Sequence, residues 1–372
     1  MNTHDAVYRE YAVVREMLET TEVVRDLPVG RIRELPAPVG ARKPAGARGP
    51  VGSDASVRDP AETAAPFPVQ TAAPFLVGEG SSRIFPAGRA VHAGLRRGDR
   101  VVPRTESAHA AAELELGGRT VYVASNSGKT AECVHLIRRL REKNHEGGIV
   151  GMAAAGDSPV AAESDDAYIL TCGAEQAVAA TKSVVEQALV YDIVFRLAAG
   201  LPLPDLDRLS TDMAAALDAS VPVEVTRRIS AAPTLYFAGR SDGVAEELAL
   251  KANEIVRARS DFLPGTYAVH GIEEVMDPAD VLIWIDPPRQ YEAKFREVLQ
   301  EGVGLSIVAI AARETSFPTI RIPAAAEPDT AAYLELAAGW NLLIEAGVAR
   351  GINIDKPERA RKVGNEFSGD VS

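Results

Sequence analysis

Short apolar runs separated by amphipathic stretches dominate the chain from residue 75 onward. One set falls at 75–77, 121–124, 149–152 and 168–171, and a second at 235–238, 281–285, 306–310 and 319–322. Strands this short and continuously apolar, alternating with helical periodicity, predict parallel sheets covered by helices on both faces. The first run of each set ends in a glycine turn, Gly78-Glu79-Gly80-Ser81-Ser82 and Gly239-Arg240-Ser241-Asp242-Gly243. A Leu/Pro hinge at 200–204 divides the sets. The pattern reads as an internal repeat: an α/β protein with two similar three-layer α/β/α domains in tandem.

Helices are expected over 5–27, where Tyr8, Tyr11, Ala12, Val14, Met17 and Leu18 form an apolar stripe, and over 130–142 and 244–257. The stretch 36–73 shifts to Pro, Ala and Gly, and TAAPFPV at 63–69 nearly repeats as TAAPFLV at 71–77. It reads as a flexible linker or insertion. The expected organisation is an N-terminal helical segment (1–35), linker (36–73), first α/β domain (74–203), second (204–350) and C-terminal tail (351–372).

The most informative residues are Ser125-Asn126-Ser127-Gly128-Lys129-Thr130, set where an apolar run hands over to an amphipathic stretch. The start of a helix offers free N–H groups and partial positive charge, which suit a phosphate, and small hydroxyls add donors without bulk. The alternative is an ordinary Ser/Gly turn with a helix cap. The second repeat carries Asp286-Pro287-Pro288-Arg289 at the matching place, without hydroxyls and with an anion of its own. One phosphate pocket per chain is therefore expected, in the first domain.

Composition narrows the function. A formal charge of −12 argues against nucleic acid or an anionic membrane as partner. No run approaches the ~20 apolar residues of a membrane span. The polar start, Met1-Asn2-Thr3-His4-Asp5, does not read as a signal peptide, so a cytoplasmic protein is expected. Cys133 and Cys172 make neither a disulfide framework nor a zinc motif, and His92, His109, His135 and His145 lack metal-ligand spacing.

Together these features resemble the sugar isomerase (SIS) family, and more closely the isomerase half of glucosamine-6-phosphate synthases, over roughly residue 75 to the C-terminus. Gly80-Ser81-Ser82 resembles the family's first-strand turn, with Ser82 at its phosphate-binding serine, and 125–130 resembles its S-x-S-G-[EK]-T phosphate loop. The run 173–182, GAEQAVAATK, resembles the segment bordering the sugar, which implies sugar contacts for Glu175, Val178 and Ala180, although Ala180 stands where the motif has serine. Asn126 occupies a position often held by glutamine. Leu250-Lys251-Ala252-Asn253-Glu254-Ile255 resembles the helix with the proton-transfer glutamate, Glu254, beside Lys251 as a sugar contact; the spacing of these two also fits a surface ion pair. His270-Gly271 lies 16 residues further on, followed by Ile272 where proline is usual. DKPERARK at 355–362 resembles the tail motif whose lysine, here Lys362, enters the site.

The resemblance implies an aldose–ketose isomerase or amino-sugar-phosphate deaminase acting on a hexose or hexosamine 6-phosphate. His270 would move the ring-opening proton, Glu254 the C1/C2 proton, and Lys362 would stabilise an enolate or form an imine. Ser82, Ser125, Asn126, Ser127 and Thr130 would hold the phosphate. No metal or redox cofactor is called for. It also implies a homodimer, with His270 donated across the interface. A glutaminase domain is not visible in the sequence, so a separate glutaminase partner, free ammonia, or the reverse, ammonia-releasing reaction are the expected options. The alternatives are a fructosamine-phosphate deglycase, the isomerase subunit of a split synthase, and a sugar-phosphate sensor without turnover.

Overall fold

The computed structural model describes residues 5–36 and 73–368. Nearly all of the expected linker lies outside them. The described residues form two five-stranded, fully parallel sheets flanked by helices. The first contains β1 (Phe75–Gly78), β2 (Arg104–Ser107), β3 (Val121–Ala124), β4 (Ile149–Ala153) and β5 (Asp166–Ile169), in the order β2-β1-β3-β4-β5. The second contains β6 (Thr234–Gly239), β7 (Arg259–Pro264), β8 (Val281–Ile285), β9 (Ser306–Ala311) and β10 (Thr319–Arg321). Its order, β7-β6-β8-β9-β10, is the same topology repeated.

Seven of these strands coincide with the apolar runs, and β5 overlaps only the first two residues of the run at 168–171. β2 and β7 carry no such run: Arg104-Thr105-Glu106-Ser107 and Arg259-Ser260-Asp261-Phe262-Leu263-Pro264 are edge strands with little apolar surface to bury.

The helices Lys182–Ala199 and Ala331–Ala349 are buried on nearly every face. They share one continuous core with the inward faces of both sheets, from Leu76 and Tyr122 to Phe237 and Ile283. Apolar character on all sides of a helix is what a fully enclosed position requires. A polar lock crosses this core. The Arg89 guanidinium binds the Asp192 carboxylate, which also accepts a 2.7 Å hydrogen bond from the Tyr333 hydroxyl. Here the chain approaches itself closely: a Cβ on Gly243, whose φ is +86°, would lie 2.5 Å from the Ile84 carbonyl oxygen. Among the described residues no helix is long and apolar enough to cross a membrane.

The N-terminal segment differs from one continuous helix over 5–27. A short turn, Ala6–Arg9, breaks at Tyr11 before the helix Ala12–Arg25. The cause lies far along the chain. The Asp355 carboxylate accepts the free N–H groups of Ala12 and Val13, each at 2.8 Å, and so caps that helix from the tail.

Candidate functional site

In a doubly wound sheet, ligands gather at the carboxyl ends of the strands where the strand order reverses. In the first sheet that point lies between β1 and β3. A cleft of about 690 Å³ opens there. Its walls come from the turn after β1, the loop after β3, the 174–180 segment, residues Leu250 and Glu254, and tail residues 361–365.

The loop after β3 is a compact knot of hydroxyls. Gly128 N–H donates to the Ser125 carbonyl at 2.9 Å and reaches Ser125 Oγ at 3.1 Å. Ser125 Oγ lies 2.8 Å from Thr130 Oγ1, and Ser127 Oγ accepts from Lys129 N–H at 3.1 Å. Gly128 sits at φ +65°, and a Cβ there would lie 2.0 Å from Ser158 Oγ, so only glycine fits. The loop feeds the helix Ala131–Glu142, yet Thr130 makes no side-chain capping bond to it. Capping therefore does not explain Thr130. Ser82 also lines the cleft, on the turn Gly80–Ser82.

The opposite wall carries the acids and bases. The helix Val244–Lys251 widens into a π-helical turn, Ala252–Val256, and ends at Arg257 in the left-handed region. Such widened turns recur at functional sites. Glu254 lies on this turn, 18% exposed, and borders the cleft. Its Oε2 accepts from Lys251 Nζ at 2.7 Å. Lys251 does not line the cleft. Its fully buried ammonium also donates to Ser81 Oγ at 2.7 Å and lies 3.3 Å from Glu247 Oε1. It is an internal counter-ion behind Glu254 rather than a surface for sugar.

Glu247 has no exposure, and neither of its oxygens receives a well-aligned hydrogen bond. Burial pushes its carboxyl up to about 7; Lys251 opposes this and the charge of Glu254 reinforces it. Burial would lower the Lys251 pKa, but Glu254 and Glu247 together hold it above its ordinary value. One ammonium cannot neutralise two carboxylates, so the one that water cannot reach takes up a proton more readily than an ordinary carboxylate.

Glu175 and Lys362 meet from separate directions, with Lys362 Nζ 3.4 Å from Glu175 Oε2. The Glu175 carboxylate also accepts from Ser183 Oγ (2.6 Å), Thr181 N–H (2.7 Å) and Asn126 Nδ2 (3.1 Å). Burial raises its pKa, but the Lys362 charge and these donors overcome that and hold it below the ordinary value. Asn126 is thus committed to Glu175, and its Oδ1 is buried without a partner. Val178 and Ala180 complete this wall.

The tail is tied to the hydroxyl loop. Ala131 N–H donates to the Asn365 carbonyl at 3.0 Å, and Phe367 N–H to the Lys129 carbonyl at 2.8 Å. The Phe367 ring lies under the Arg138 guanidinium and edge-on to His135.

His270 stands apart from this assembly. It is exposed on the turn after β7, with Nε2 3.2 Å from Thr266 Oγ1, and does not line the cleft. Four other residues carry no assigned role in the sequence reading. Ser81 and Arg361 line the cleft, and Arg361 has no partner among the described residues. Glu247 falls four residues before Lys251, a helical spacing that could have disclosed it. Glu16 is buried on the helix Ala12–Arg25 and accepts the N–H groups of Gln176 and Ala177, fixing the 173–180 segment. Nothing local in the sequence links residues 16 and 176.

The described residues thus set a hydroxyl-lined cleft at the first switch point of a parallel α/β scaffold, faced by a carboxylate and an amine. No family model matches the chain. It is similar to the glutamine–fructose-6-phosphate aminotransferase [isomerizing] of Aeropyrum pernix, 25% identical over 312 residues, covering 77% of this chain and 50% of that protein. The Halobacterium salinarum protein of the same name is 27% identical over 320 residues, covering 75% and 51%. The chain thus spans about half the length of the curated relatives it matches. In fold it is similar to the C-terminal domain of glucosamine-fructose-6-phosphate aminotransferase from Francisella tularensis (TM-score 0.69, 19% identity, 94% and 98% of the two chains). The glucosamine-6-phosphate deaminase of Thermotoga maritima gives TM-score 0.69, 18% identity, and 96% and 99% coverage. The resemblance to the synthases is thus met in sequence by these relatives, and the resemblance to phosphosugar-processing proteins in fold by the solved structures.

Proposed function

We propose that this protein is a sugar-phosphate isomerase or deaminase acting on a hexose or hexosamine 6-phosphate, built as two tandem SIS domains with a tail that completes the site. The observation that carries this reading is that Glu254 and Lys362 border the same cleft as Ser82, Ser125, Ser127 and Thr130. A phosphate held by the hydroxyl loop would anchor the substrate at one end of the cleft. That remote binding orients the reacting carbons toward the opposite wall. Glu254, steadied by Lys251, would carry the proton between C1 and C2. Lys362 would stabilise the developing oxyanion or attack an open-chain ketose carbonyl as a free amine. His270 would open the ring from a second copy of the chain, which makes a homodimer part of this reading.

Incubating the purified protein with glucosamine 6-phosphate, and separately with fructose 6-phosphate plus ammonium, tests it. Release of ammonia and fructose 6-phosphate, or the reverse conversion, is expected. One observation favours a second reading, a sugar-phosphate sensor: His270 lies outside the cleft of its own chain. Saturable binding of both sugars with no turnover in either direction would support the sensor and overturn the enzyme.

A further inference from the structure

The second sheet has a crevice of its own. It measures about 280 Å³ and lies at the carboxyl ends of β6, β7 and β8, where that sheet's strand order reverses. Its position repeats that of the main cleft, but its chemistry does not. Trp284, Ile285, Pro287, Pro288 and Tyr291 make a largely apolar wall in place of a hydroxyl loop. Asp286 turns the chain at φ +42°, a left-handed backbone that is costly for a non-glycine residue, as it leaves β8 for the two prolines.

The charges of this crevice are unevenly spent. Arg240 is engaged by Asp242 (3.0 Å), Asp286 (2.6 Å) and Glu335 (2.8 Å). Arg313 is engaged by Glu292 (2.6 Å) and the Pro287 carbonyl. Arg289 has neither an ion pair nor a hydrogen bond from its side chain among the described residues, and the Tyr291 hydroxyl is likewise unpartnered. The lining therefore offers one unspent guanidinium and one phenol beside an apolar wall. A guanidinium suits a phosphate or carboxylate, and the wall suits a flat ring.

We propose that this crevice is a second small-molecule site, distinct from the main cleft, which takes a compact organic anion with a flat apolar body. The absence of a hydroxyl loop makes it a poor host for the polyol chain of a sugar phosphate. An occupant would also touch Thr266, whose hydroxyl lies 3.2 Å from His270 Nε2. A link from this site to turnover would rest on the proposed role of His270; binding itself does not depend on that role.

Phenyl phosphate is the probe, with inorganic phosphate and phenol as its separated halves. Each is titrated into the full chain by calorimetry and by tryptophan fluorescence. Trp284 lines the crevice, and the other tryptophan, Trp340, is buried in the helix Ala331–Ala349. Saturable binding of phenyl phosphate with a change in emission is expected, at least tenfold tighter than either half. Arg289→Ala, at an exposed position, should weaken it by about tenfold or more, since a hydrogen bond to a charged group is lost. Ser127→Ala, in the main cleft, should leave it unchanged. No saturable binding, binding indifferent to Arg289→Ala, or binding lost in Ser127→Ala would each overturn the proposal.

Discussion

Lys251 Nζ stands 2.7 Å from Glu254 Oε2 and 3.3 Å from Glu247 Oε1, so one buried ammonium serves two carboxylates of which only Glu254 faces the cleft. The arrangement follows from helical spacing, with residues 247, 251 and 254 stacked on one face. It has a cost that pH should disclose. Glu247 is held at about 7 in the folded chain against an ordinary 4.5. Between those values the folded state keeps a proton that the unfolded state releases. The contribution is therefore fully present below pH 4.5 and is lost as pH rises through 7, a change of about 3 kcal/mol at most. Denaturant unfolding of wild type and Glu247→Gln at pH 5 and pH 8 isolates it. The wild type should lose stability relative to the variant between the two, and a constant difference would refute the assignment.

Glu254→Gln separates binding from chemistry. The amide oxygen can still accept from Lys251, so the widened turn should keep its shape. Phosphosugar affinity should change less than about threefold, while turnover falls by about 10² to 10⁴, the usual span of a general acid–base group. Calorimetry with fructose 6-phosphate beside a rate assay checks both. Unchanged turnover would remove Glu254 from the mechanism.

The glycine at 128 is demanded twice, by its positive φ and by the approach of Ser158. Gly128→Ala should destabilise the chain by about 1–3 kcal/mol, because the neighbouring strand and turn cannot give way cheaply. It should also lower phosphosugar affinity by misplacing Ser127 and Thr130. Ser127→Ala is the comparison. It should lower affinity by about tenfold with little loss of stability, since its hydroxyl otherwise meets only the Lys129 N–H and, at 3.4 Å, Ser125 Oγ. A thermal melt and a binding isotherm for each variant suffice.

What the sequence disclosed follows from how locally each feature is encoded. The six inner strands among those read from the sequence are apolar runs, because a buried parallel strand must be apolar on both faces. β2 and β7 escaped because they lie at sheet edges and are built largely of polar residues, Arg104-Thr105-Glu106-Ser107 and Arg259-Ser260-Asp261, whereas the edge strands β5 and β10 still border an apolar run. The hydroxyl loop was legible as a loop: its six residues act within one turn. The helix expected over 244–257 was found with its last turn widened, a distortion that no propensity scale records. Lys251 was read as a sugar contact. Its neighbours Ser81 and Glu247 could be seen together only once the turn after β1 and this helix were packed. Glu16 and Asp355 were invisible for the same reason. Each binds backbone N–H groups more than 150 positions away, and a backbone N–H leaves no trace in the residue types around it.

Lys362 offers the sharpest division between structural and chemical roles. Its ammonium is one of the influences holding the buried Glu175 carboxyl below its ordinary value. That depressed value contributes stability which is present above the ordinary carboxylate pKa and lost as pH falls through the folded one. Lys362→Met should remove this contribution and leave Glu175 with hydrogen bonds but no opposing charge, so its carboxyl should rise. Lys362→Arg keeps a cation in reach, and unfolding at pH 7 should stay within about 1 kcal/mol of wild type. A guanidinium does not lose its proton and cannot attack a carbonyl. Turnover of the arginine variant should therefore fall at least a hundredfold while stability holds, and turnover of the methionine variant should fall with both. An arginine variant as active as wild type would rule out attack by a free amine and leave Lys362 only the work of a fixed cation, beside the oxyanion or against Glu175.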